Sequence, residues 1–324
     1  NVHLFGDAIP EDVIGPLAEL GFMDPLHWLD AIRAAEVGWV LADGEMPDVL
    51  ALQEVWDGDL LGLIVGHAGD VVVDGHYGDA VDTIDPPECV QLPLFGCWNS
   101  LLNSGLATLT RTPILDAGQT FFIAETADQD FFEPFSSKGW VFTEVEKGGF
   151  RVGVFNTHLQ AGAEDDGPVE GVRLSQAAQL ASAVQDYRIA HPGHPVVVLG
   201  DFNVRGSGNP SLEYTTTLRH LFGETGLGTV DAARADWCNL AQNGVTTSNT
   251  SVLRDYWSPG NQSNARLDYV LPVGSLDGSV QMRVAWVDTR DHRGSQAYAH
   301  DGITTDELYD HWAVHAMLEL VRVN

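Results

Sequence analysis

The sequence predicts a layered α/β fold, with β-sheets buried beneath helices. Short apolar runs rich in β-branched residues recur along the 324-residue chain, and segments whose apolar residues have helical spacing separate them. Interleaved strands and helices of this kind form sheets that helices cover. The chain has no internal repeat and no long linker, and α/β folds of this length are often single domains. We therefore expect one domain over residues 1–324.

Five segments have the character of buried strands. Each is short and almost wholly apolar, which is typical of strands that are covered on both faces. In chain order they are residues 48–55, 150–157, 195–199, 267–271 and 311–320. These segments are predicted to form the centre of the sheets.

Two segments have apolar residues at helical spacing. Residues 172–190 lie between two predicted strands, and their apolar positions are Leu174, Ala177, Ala178, Leu180, Ala181 and Val184. Residues 24–42 have a partial apolar stripe that consists of Leu26, Leu29, Ile32, Ala35 and Val40. Stripes of this period pack one face of a helix against a core. Both segments are therefore predicted to be helices that cover a sheet.

The charge balance and the distribution of apolar residues bear on the class of protein. The chain has 46 acidic and 16 basic residues, a formal net charge of −30, only two lysines and no basic run. Proteins that bind nucleic acid gain affinity by neutralising phosphates with Lys and Arg, so binding to long nucleic acid is disfavoured. No stretch of about 18 consecutive apolar residues occurs, so no transmembrane helix is predicted. We expect a monomer.

The three cysteines, Cys89, Cys97 and Cys238, leave two interpretations open. Cys89 and Cys97 flank a short loop and could form a disulfide in an exported protein, or all three could be buried thiols. The chain begins at Asn1 and not at Met, which a removed signal peptide or a trimmed chain would explain. Our expectation is a secreted protein.

Polar side chains stand at the ends of the predicted strands. A polar group at the end of an apolar strand costs desolvation unless it is paired or functional. The residues that share this position are Glu54, His158, Asp201, Asn203, Asp268, Asp310 and His311. α/β enzymes tend to place their sites at such a sheet edge. These residues are therefore the candidate site.

The types of these residues indicate a reaction class. Carboxylates and an amide are hard oxygen ligands, which suit Mg²⁺, Ca²⁺ or Mn²⁺ better than structural zinc. The sequence contains no HExxH, no close CxxC pair, no GxSxG and no GxxxxGK[ST] motif. A divalent ion combined with histidines and acid–amide pairs suits the hydrolysis of a phosphate ester.

Six motifs resemble those of the endonuclease/exonuclease/phosphatase superfamily, which has the DNase I-like fold. In the order of that superfamily they are ALQEVWD (51–57), NSGLATLTRTPI (103–114), FNTHLQAG (155–162), LGDFNV (199–204), RLDYVLP (266–272) and YDHWAVHAML (309–318). The resemblance covers nearly the whole chain. It implies a four-layer α/β/β/α sandwich in which two mixed β-sheets pack together.

Within that superfamily the chain is most similar to neutral sphingomyelinases of the bacterial type. The motifs are THLQA followed by VRLSQAAQL (172–180), SKGW (137–140), and GDFNV followed by LEYTTTL (212–218). The resemblance implies a metal-dependent phosphodiesterase that hydrolyses sphingomyelin to ceramide and phosphocholine. Two alternatives remain: a nuclease or soluble-phosphoester phosphatase of the same superfamily, and a non-catalytic binding protein on the same fold.

The resemblance also implies roles in metal and phosphate binding. Glu54 matches the metal-binding Glu of the superfamily, and Asn1 resembles an Asn that helps to hold the metal. Asp201 is expected to orient or deprotonate water, and Asn203 to contact phosphate. The expected cofactor is Mg²⁺, with Mn²⁺ or Ca²⁺ as alternatives.

The remaining catalytic roles concern two histidines. His158 is similar to a His that hydrogen-bonds a phosphoryl oxygen and assists the leaving group. His311 matches the C-terminal His, with Asp310 beside it and Asp268 as the residue that orients it. A carboxylate on one imidazole nitrogen raises the basicity of the other nitrogen.

The sequence departs from the family pattern in three places. Tyr309 stands where Ser usually precedes Asp-His, and FGDAIPED (5–12) replaces an expected Asn-Trp-Gly. The first strand of the family would precede Asn1, so either residues precede it in the protein or the assignment of Asn1 is wrong.

A group of phenylalanines leaves open how the protein meets a lipid. The group consists of Phe121, Phe122, Phe131, Phe132 and Phe135, with acidic residues between them. An exposed aromatic loop would contact a membrane surface transiently, whereas core packing is the alternative. The net charge would tolerate a zwitterionic choline lipid.

Overall fold

Helices and strands interleave along the chain in this computed structural model. It describes residues 29–78, 90–92, 96–98, 104–123, 138–162, 167–206, 213–219, 222, 244–248, 250–257, 264–300 and 303–323. Among these residues, no helix is long and apolar enough to cross a membrane.

The elements are labelled in chain order. The helices are α1 (Asp30–Val40), α2 (Gly58–Ala68), α3 (Gly167–Ala190) and α4 (Val252–Trp257), with π-helical turns at Leu41–Glu45 and Tyr214–Arg219 and a 3₁₀ turn at Gly69–Val71. The strands are β1 (Val49–Leu52), β2 (Asp74–Tyr77), β3 (Val90–Leu92), β4 (Gly96–Trp98), β5 (Ala107–Thr110), β6 (Ile114–Phe121), β7 (Gly139–Lys147), β8 (Phe150–His158), β9 (Val196–Asp201), β10 (Asp268–Val273), β11 (Val280–Arg290), β12 (Arg293–His300), β13 (Ile303–Glu307) and β14 (Ala313–Arg322).

Five strands form the first sheet, in the order β10–β9–β8–β7–β6. The pair β8–β9 is parallel and the other three pairs are antiparallel, so the sheet is mixed. The parallel pair needs a crossover, and α3 provides it between β8 and β9.

The second layer of strands is antiparallel. It contains a three-stranded sheet in the order β1–β5–β2 and a pair of long strands, β11 and β14. Two further antiparallel pairs, β12–β13 and β3–β4, complete the described strands.

The side chains of the first sheet alternate between two hydrophobic clusters, as the period of a strand requires. On the outer face, Phe155 and Val198 pack against α3 through Leu180. On the inner face, Val154 and Val197 pack towards the second layer of strands. The first sheet is therefore covered by a helix on one side and by strands on the other.

A third cluster covers the far side of the second layer. Leu52 of β1 and Leu109 of β5 pack there with Val37 of α1 and Ile64 of α2. The order of layers is thus α3, first sheet, second layer of strands, and then α1 with α2. This order confirms the predicted four-layer α/β/β/α sandwich. One domain over residues 1–324 stays a prediction.

A buried asparagine joins the two strand layers close to the candidate site. The Nδ2 of Asn156 in β8 donates hydrogen bonds to the carbonyl oxygens of Leu52 (3.1 Å) and Ala107 (3.0 Å). Its Oδ1 accepts a hydrogen bond of 2.8 Å from Gln53 Nε2. Because every polar atom of this amide is paired, the contact holds β1 and β5 against β8 without leaving a buried polar group unsatisfied.

The five predicted strands are all present, but two are less buried than expected. A cavity of about 610 Å³ lies between the sheets, and Val49 of β1 and Leu318 of β14 are half-buried because they line it. Met317, on the other face of β14, is 60% exposed. The prediction of full burial was therefore wrong for β1 and β14. The predicted helices correspond to α1 and to α3, which begins at Gly167.

Several expectations fall outside the described residues. They concern Asn1, Cys89, Cys238 and Phe131, Phe132 and Phe135. The disulfide and the lipid-contacting loop therefore stay predictions. Phe122 lies in the described part, where it is buried in the core and its ring centre is 5.3 Å from that of Trp140.

Candidate active site

Strand register brings three of the predicted site residues side by side. His158 ends β8 and is the register partner of Asp201 at the end of β9. Asp201 is in turn the partner of Asp268, which begins β10. The three side chains therefore lie at one end of three neighbouring strands. His158 Nε2 and Asp201 Oδ2 are 3.7 Å apart.

Gly200 allows the two central strands to approach each other at this point. Its φ is +137°, a conformation that L side chains rarely adopt. A Cβ built on Gly200 would lie 1.9 Å from the carbonyl oxygen of Thr157 in β8. Only glycine fits here, which explains the Gly of the GDFN motif and fixes the position of Asp201.

His311 joins the site from the residues just before β14. Its Nδ1 lies 2.9 Å from Asp268 Oδ2 and 3.7 Å from Asp201 Oδ2. Thr246 ties this segment to β10, because its carbonyl oxygen accepts from Trp312 N (2.6 Å) and its Oγ1 accepts from Asp268 N (3.3 Å). Asp268 is thus within hydrogen-bond distance of His311, and its role in orienting that histidine stays a prediction.

Lys138, just before β7, contacts the other histidine. Its Nζ lies 3.0 Å from His158 Nε2, and both side chains are buried. An ammonium group can only donate, so Nε2 of His158 accepts and Nδ1 carries the hydrogen. Burial and the charge of Lys138 hold the pKa of His158 well below its ordinary value. Both effects favour the neutral form of His158.

Two site residues have a backbone conformation that is unusual for residues with a side chain. Glu54 has φ +60° and Asn203 has φ +53°, and no other non-glycine residue in the described ranges has a positive φ. The backbone N–H of Asn203 donates to Asp201 Oδ1 (2.7 Å), and its Nδ2 donates to the carbonyl oxygen of Leu159 (3.1 Å). Backbone strain of this kind clusters at functional sites.

Buried charges shift the pKa values of the site. Burial raises the pKa of Asp201 to about 7, and the nearby carboxylate of Asp268 adds to the rise. Burial also opposes the charge of Asp268, but contact with His311 holds the pKa of Asp268 below its ordinary value. For His311, burial is outweighed by Asp268 and Asp310, which raise its pKa to about 9.

The residues of the site fit a hard divalent cation. Ligand atoms of Asp201, Asp268 and His311 lie within 4.8 Å of one another. The carboxylate of Glu54 is close by, with its Oε1 3.9 Å from His158 Nε2. A buried carboxylate whose pKa is raised by a neighbouring carboxylate is stabilised by a bound cation, and oxygen ligands favour Mg²⁺, Mn²⁺ or Ca²⁺. Glu54 as a metal ligand stays a prediction.

Most of the predicted site residues meet in one place. Asp310 Oδ2 lies 3.9 Å from His311 Nε2, so Asp310 belongs to the same group. Glu54, His158, Asp201, Asn203 and Asp268 have been placed above, and Asn1 lies outside the described residues. The roles expected for these side chains stay predictions.

Sequence reasoning missed two cations that lie next to the histidines. Lys138 was named only as part of a family motif and not as a site residue. Arg254 of α4 was not predicted at all, although its Nη1 lies 3.4 Å from His311 Nε2. A signal was available for Lys138, because it is one of only two lysines in the chain. A rare lysine next to a strand start deserves a test as a site residue. Nothing local in the sequence points to Arg254.

These features are those of a family of phosphoester hydrolases. The chain belongs to the endonuclease/exonuclease/phosphatase family, whose sequence profile matches residues 23–288. This range includes Glu54, His158, Asp201, Asn203 and Asp268 and ends before Asp310 and His311. The predicted membership is thus confirmed.

Several solved structures are similar to this chain. Beta toxin from Staphylococcus aureus is 19% identical with a TM-score of 0.70, over 98% of this chain and 97% of that chain. Sphingomyelinase C from Streptomyces griseocarneus is 22% identical with a TM-score of 0.60, over 89% of this chain and 92% of that chain. A double mutant of the beta toxin, 18% identical with a TM-score of 0.64 over 98% and 96% of the two chains, has bound magnesium ions.

At these identities the structural comparisons establish the fold. No match to the sequence was found among curated proteins. The substrate therefore has to be argued from the site.

Proposed function

We propose that the protein is a divalent-metal-dependent phosphodiesterase that hydrolyses sphingomyelin to ceramide and phosphocholine. The observation that carries the proposal is the meeting of Glu54, His158, Asp201 and the His311–Asp268 pair at one sheet end. The choice of sphingomyelin is supported by the motifs around Lys138 and Glu213 and by the likeness to a sphingomyelinase C.

We propose Glu54, Asp201 and Asn1 as residues that would hold the cation. When bound, the cation would supply positive charge to the phosphoryl oxygens and lower the pKa of water. Asp201, whose pKa is near neutrality, would orient the attacking water, and its side chain is itself held by Asn203 N at 2.7 Å. We propose that Asn203, whose Nδ2 lies at the same strand end, contacts the phosphate.

The proton transfers are assigned to the two histidines. Asp268 fixes His311 through Nδ1 and makes it the stronger base of the two, so we propose that Nε2 of His311 accepts the proton of the attacking water. This requires His311 to be neutral at the start, and positive charge bound among the carboxylates would lower its pKa towards that state. His158 would contact a phosphoryl oxygen and would assist the leaving ceramide oxygen by relaying to it a proton from the Lys138 ammonium, whose Nζ lies 3.0 Å from His158 Nε2.

The charge of the molecule supports a small zwitterionic head group over a polyanion. A nuclease needs cationic side chains along its substrate, and the chain has 16 basic residues against 46 acidic ones. We also propose that the protein is exported from the cell, contacts a membrane surface and is a monomer.

The test is an activity panel that uses sphingomyelin, lysophospholipid, plasmid DNA and bis-p-nitrophenyl phosphate. Each substrate is assayed with EDTA and after addition of Mg²⁺, Mn²⁺ or Ca²⁺. We expect metal-dependent release of phosphocholine from sphingomyelin. Cleavage of DNA or of the soluble diester alone would establish one of the phosphoesterase alternatives, and no turnover of any substrate would favour a binding protein.

Two variants test the proposed roles. Asp201→Asn and His311→Gln should each lower kcat by about 100- to 10,000-fold, the range of a lost general acid–base group. Asp186→Asn, an exposed carboxylate on α3, is the matched control and should keep full activity. Circular dichroism checks that the variants fold. Full turnover by the folded His311→Gln protein would contradict the mechanism.

A further inference from the structure

Two histidines and a glutamate meet outside the active-site cluster, in the lining of the cavity between the sheets that Asp268 and His311 also line. Glu45 ends the π-helical turn after α1, His292 lies between β11 and β12, and His315 lies in β14. Their ligand atoms are within 4.8 Å of one another, and all three residues are half-buried. His315 is four residues from His311, which corresponds to about 13 Å along an extended chain. The group is therefore separate from the active site.

The two imidazole rings approach each other through their Nε2 atoms. His292 Nε2 and His315 Nε2 are 3.0 Å apart. Two neutral rings at this distance share one hydrogen, so one nitrogen donates and the other accepts. When both rings carry their hydrogen on Nδ1, the two Nε2 lone pairs point into the same space.

Arg290 holds the glutamate in place beside them. Its Nη1 donates to Glu45 Oε2, and its Nε lies 3.5 Å from Asp288 Oδ2. The guanidinium carbon also stacks 5.3 Å from the ring centre of Trp286. A side chain fixed by three contacts orients the carboxylate that it binds, as partners of metal-ligating carboxylates do.

A second group of two histidines and a glutamate differs from this one, because its carboxylate is already bound by the protein. Glu144, His191 and His194 also lie close together. There the Tyr187 hydroxyl donates to Glu144 Oε2 at 2.6 Å, and Arg151 Nη1 donates to Oε1 at 3.3 Å. Both carboxylate oxygens are thus occupied by protein donors. That group is accounted for by its own hydrogen bonds.

We propose that Glu45, His292 and His315 form a second metal site, which takes a borderline divalent cation such as Zn²⁺ in preference to Mg²⁺. Two imidazole nitrogens and one carboxylate are the ligands of such cations, whereas Mg²⁺ prefers oxygen. Three protein ligands leave a fourth position for water.

The three ligands belong to different layers of the fold. Glu45 follows α1 in the helical layer, whereas His315 belongs to the second layer of strands and His292 to the link towards β12. A cation held by all three would therefore join the helical layer to the strands. Because it binds only the folded chain, it should raise the Tm.

The test is a titration of tag-free, metal-free protein with Zn²⁺ in excess Mg²⁺, which is added to compete for the oxygen ligands of the proposed active site. We expect one Zn²⁺ equivalent by calorimetry, a rise in Tm, and visible absorption from nitrogen-ligated Co²⁺ in a parallel titration. His315→Gln should lose the equivalent, the Tm rise and the absorption. Arg290→Met should weaken binding by about 10- to 100-fold.

Two further variants keep the result decisive. Glu45→Gln changes a half-exposed side chain and tests the site if His315→Gln does not fold; it should also weaken Zn²⁺ binding. His194→Gln, from the hydrogen-bonded group, is the matched control and should bind Zn²⁺ as the parent does. Unchanged stoichiometry and Co²⁺ absorption in His315→Gln, or in Glu45→Gln if that variant has to be used, would overturn the proposal.

Discussion

The neighbours of His158 and His311 shift the pKa values of these buried imidazoles in opposite directions. His158 is next to the ammonium group of Lys138, whereas His311 is bonded to the carboxylate of Asp268. Because both rings are buried, the neighbouring charge acts with little screening. The pKa of His158 is therefore low and that of His311 high. The fold thus gives two identical side chains different basicities.

Tyr298 shows how a single buried group makes stability depend on pH. Its hydroxyl is buried in β12 and has no hydrogen-bond partner among the described residues. Burial raises the pKa of Tyr298, so the folded chain keeps a proton that the unfolded chain releases above pH of about 10. The native state then binds more protons than the unfolded state, and stability falls as the pH rises through this range.

Tyr298→Phe should therefore reduce the loss of stability at alkaline pH. At neutral pH the variant should be as stable as the parent or more stable, because an unpaired buried hydroxyl costs about 1–3 kcal/mol. Urea denaturation at neutral pH and above pH of about 10 measures both effects. Tyr77→Phe is the matched control, because its hydroxyl donates to Val55 O at 2.8 Å and its loss should destabilise at neutral pH. The same destabilisation in both variants would contradict this account.

At the scale of elements, α3 holds the loop that follows His158. Arg173 of α3 forms a buried pair with Glu213, with Nε–Oε1 at 2.6 Å and Nη2–Oε2 at 3.0 Å. Arg173 Nη1 also donates to the carbonyl oxygens of Gln160 (3.3 Å) and Gly162 (3.4 Å). One side chain thus connects α3, the loop after β8 and the π-helical turn that begins at Tyr214.

Arg173→Met should lower the free energy of unfolding by about 3–5 kcal/mol, because it leaves a buried carboxylate without its partner. The double variant Arg173→Met/Glu213→Leu should recover much of this loss, since no buried charge remains. Chemical denaturation of the parent, both single variants and the double variant measures the coupling. A double variant as unstable as the sum of the two single variants would show that the pair does not act as a unit.

At the scale of the whole molecule, the net charge of −30 opposes the compact state. Repulsion between like charges is strongest when few counter-ions are present. The screening length falls from about 30 Å at 0.01 M salt to about 10 Å at 0.1 M salt, so distant surface charges then repel each other less. Folding should therefore be favoured by moderate salt.

We expect the Tm to rise when NaCl is increased from about 0.01 M to about 0.1 M. Differential scanning calorimetry of protein free of divalent ions measures the change. KCl should act equally, because screening depends on ionic strength, and sucrose at the same osmolarity is the control for non-ionic effects. A Tm that does not change with salt would mean that the acidic residues are spaced widely enough not to repel each other.

The sequence determined the residue types and their places on the strands. The apolar runs predicted β8, β9 and β10, and the polar residues at their ends predicted Asp201, Asp268 and the candidate site. These signals are local, because hydrophobic period and strand ends extend over a few residues. They were therefore available without a structure.

Tertiary structure alone decided which of these residues meet. The contact of Lys138 with His158, the approach of Arg254 to His311 and the pairing of His292 with His315 join residues 20 to 57 positions apart. Such contacts depend on strand order, register and the packing of layers, which no local pattern contains. Charge states follow from burial and from these neighbours, and so they too emerged only when the chain was folded.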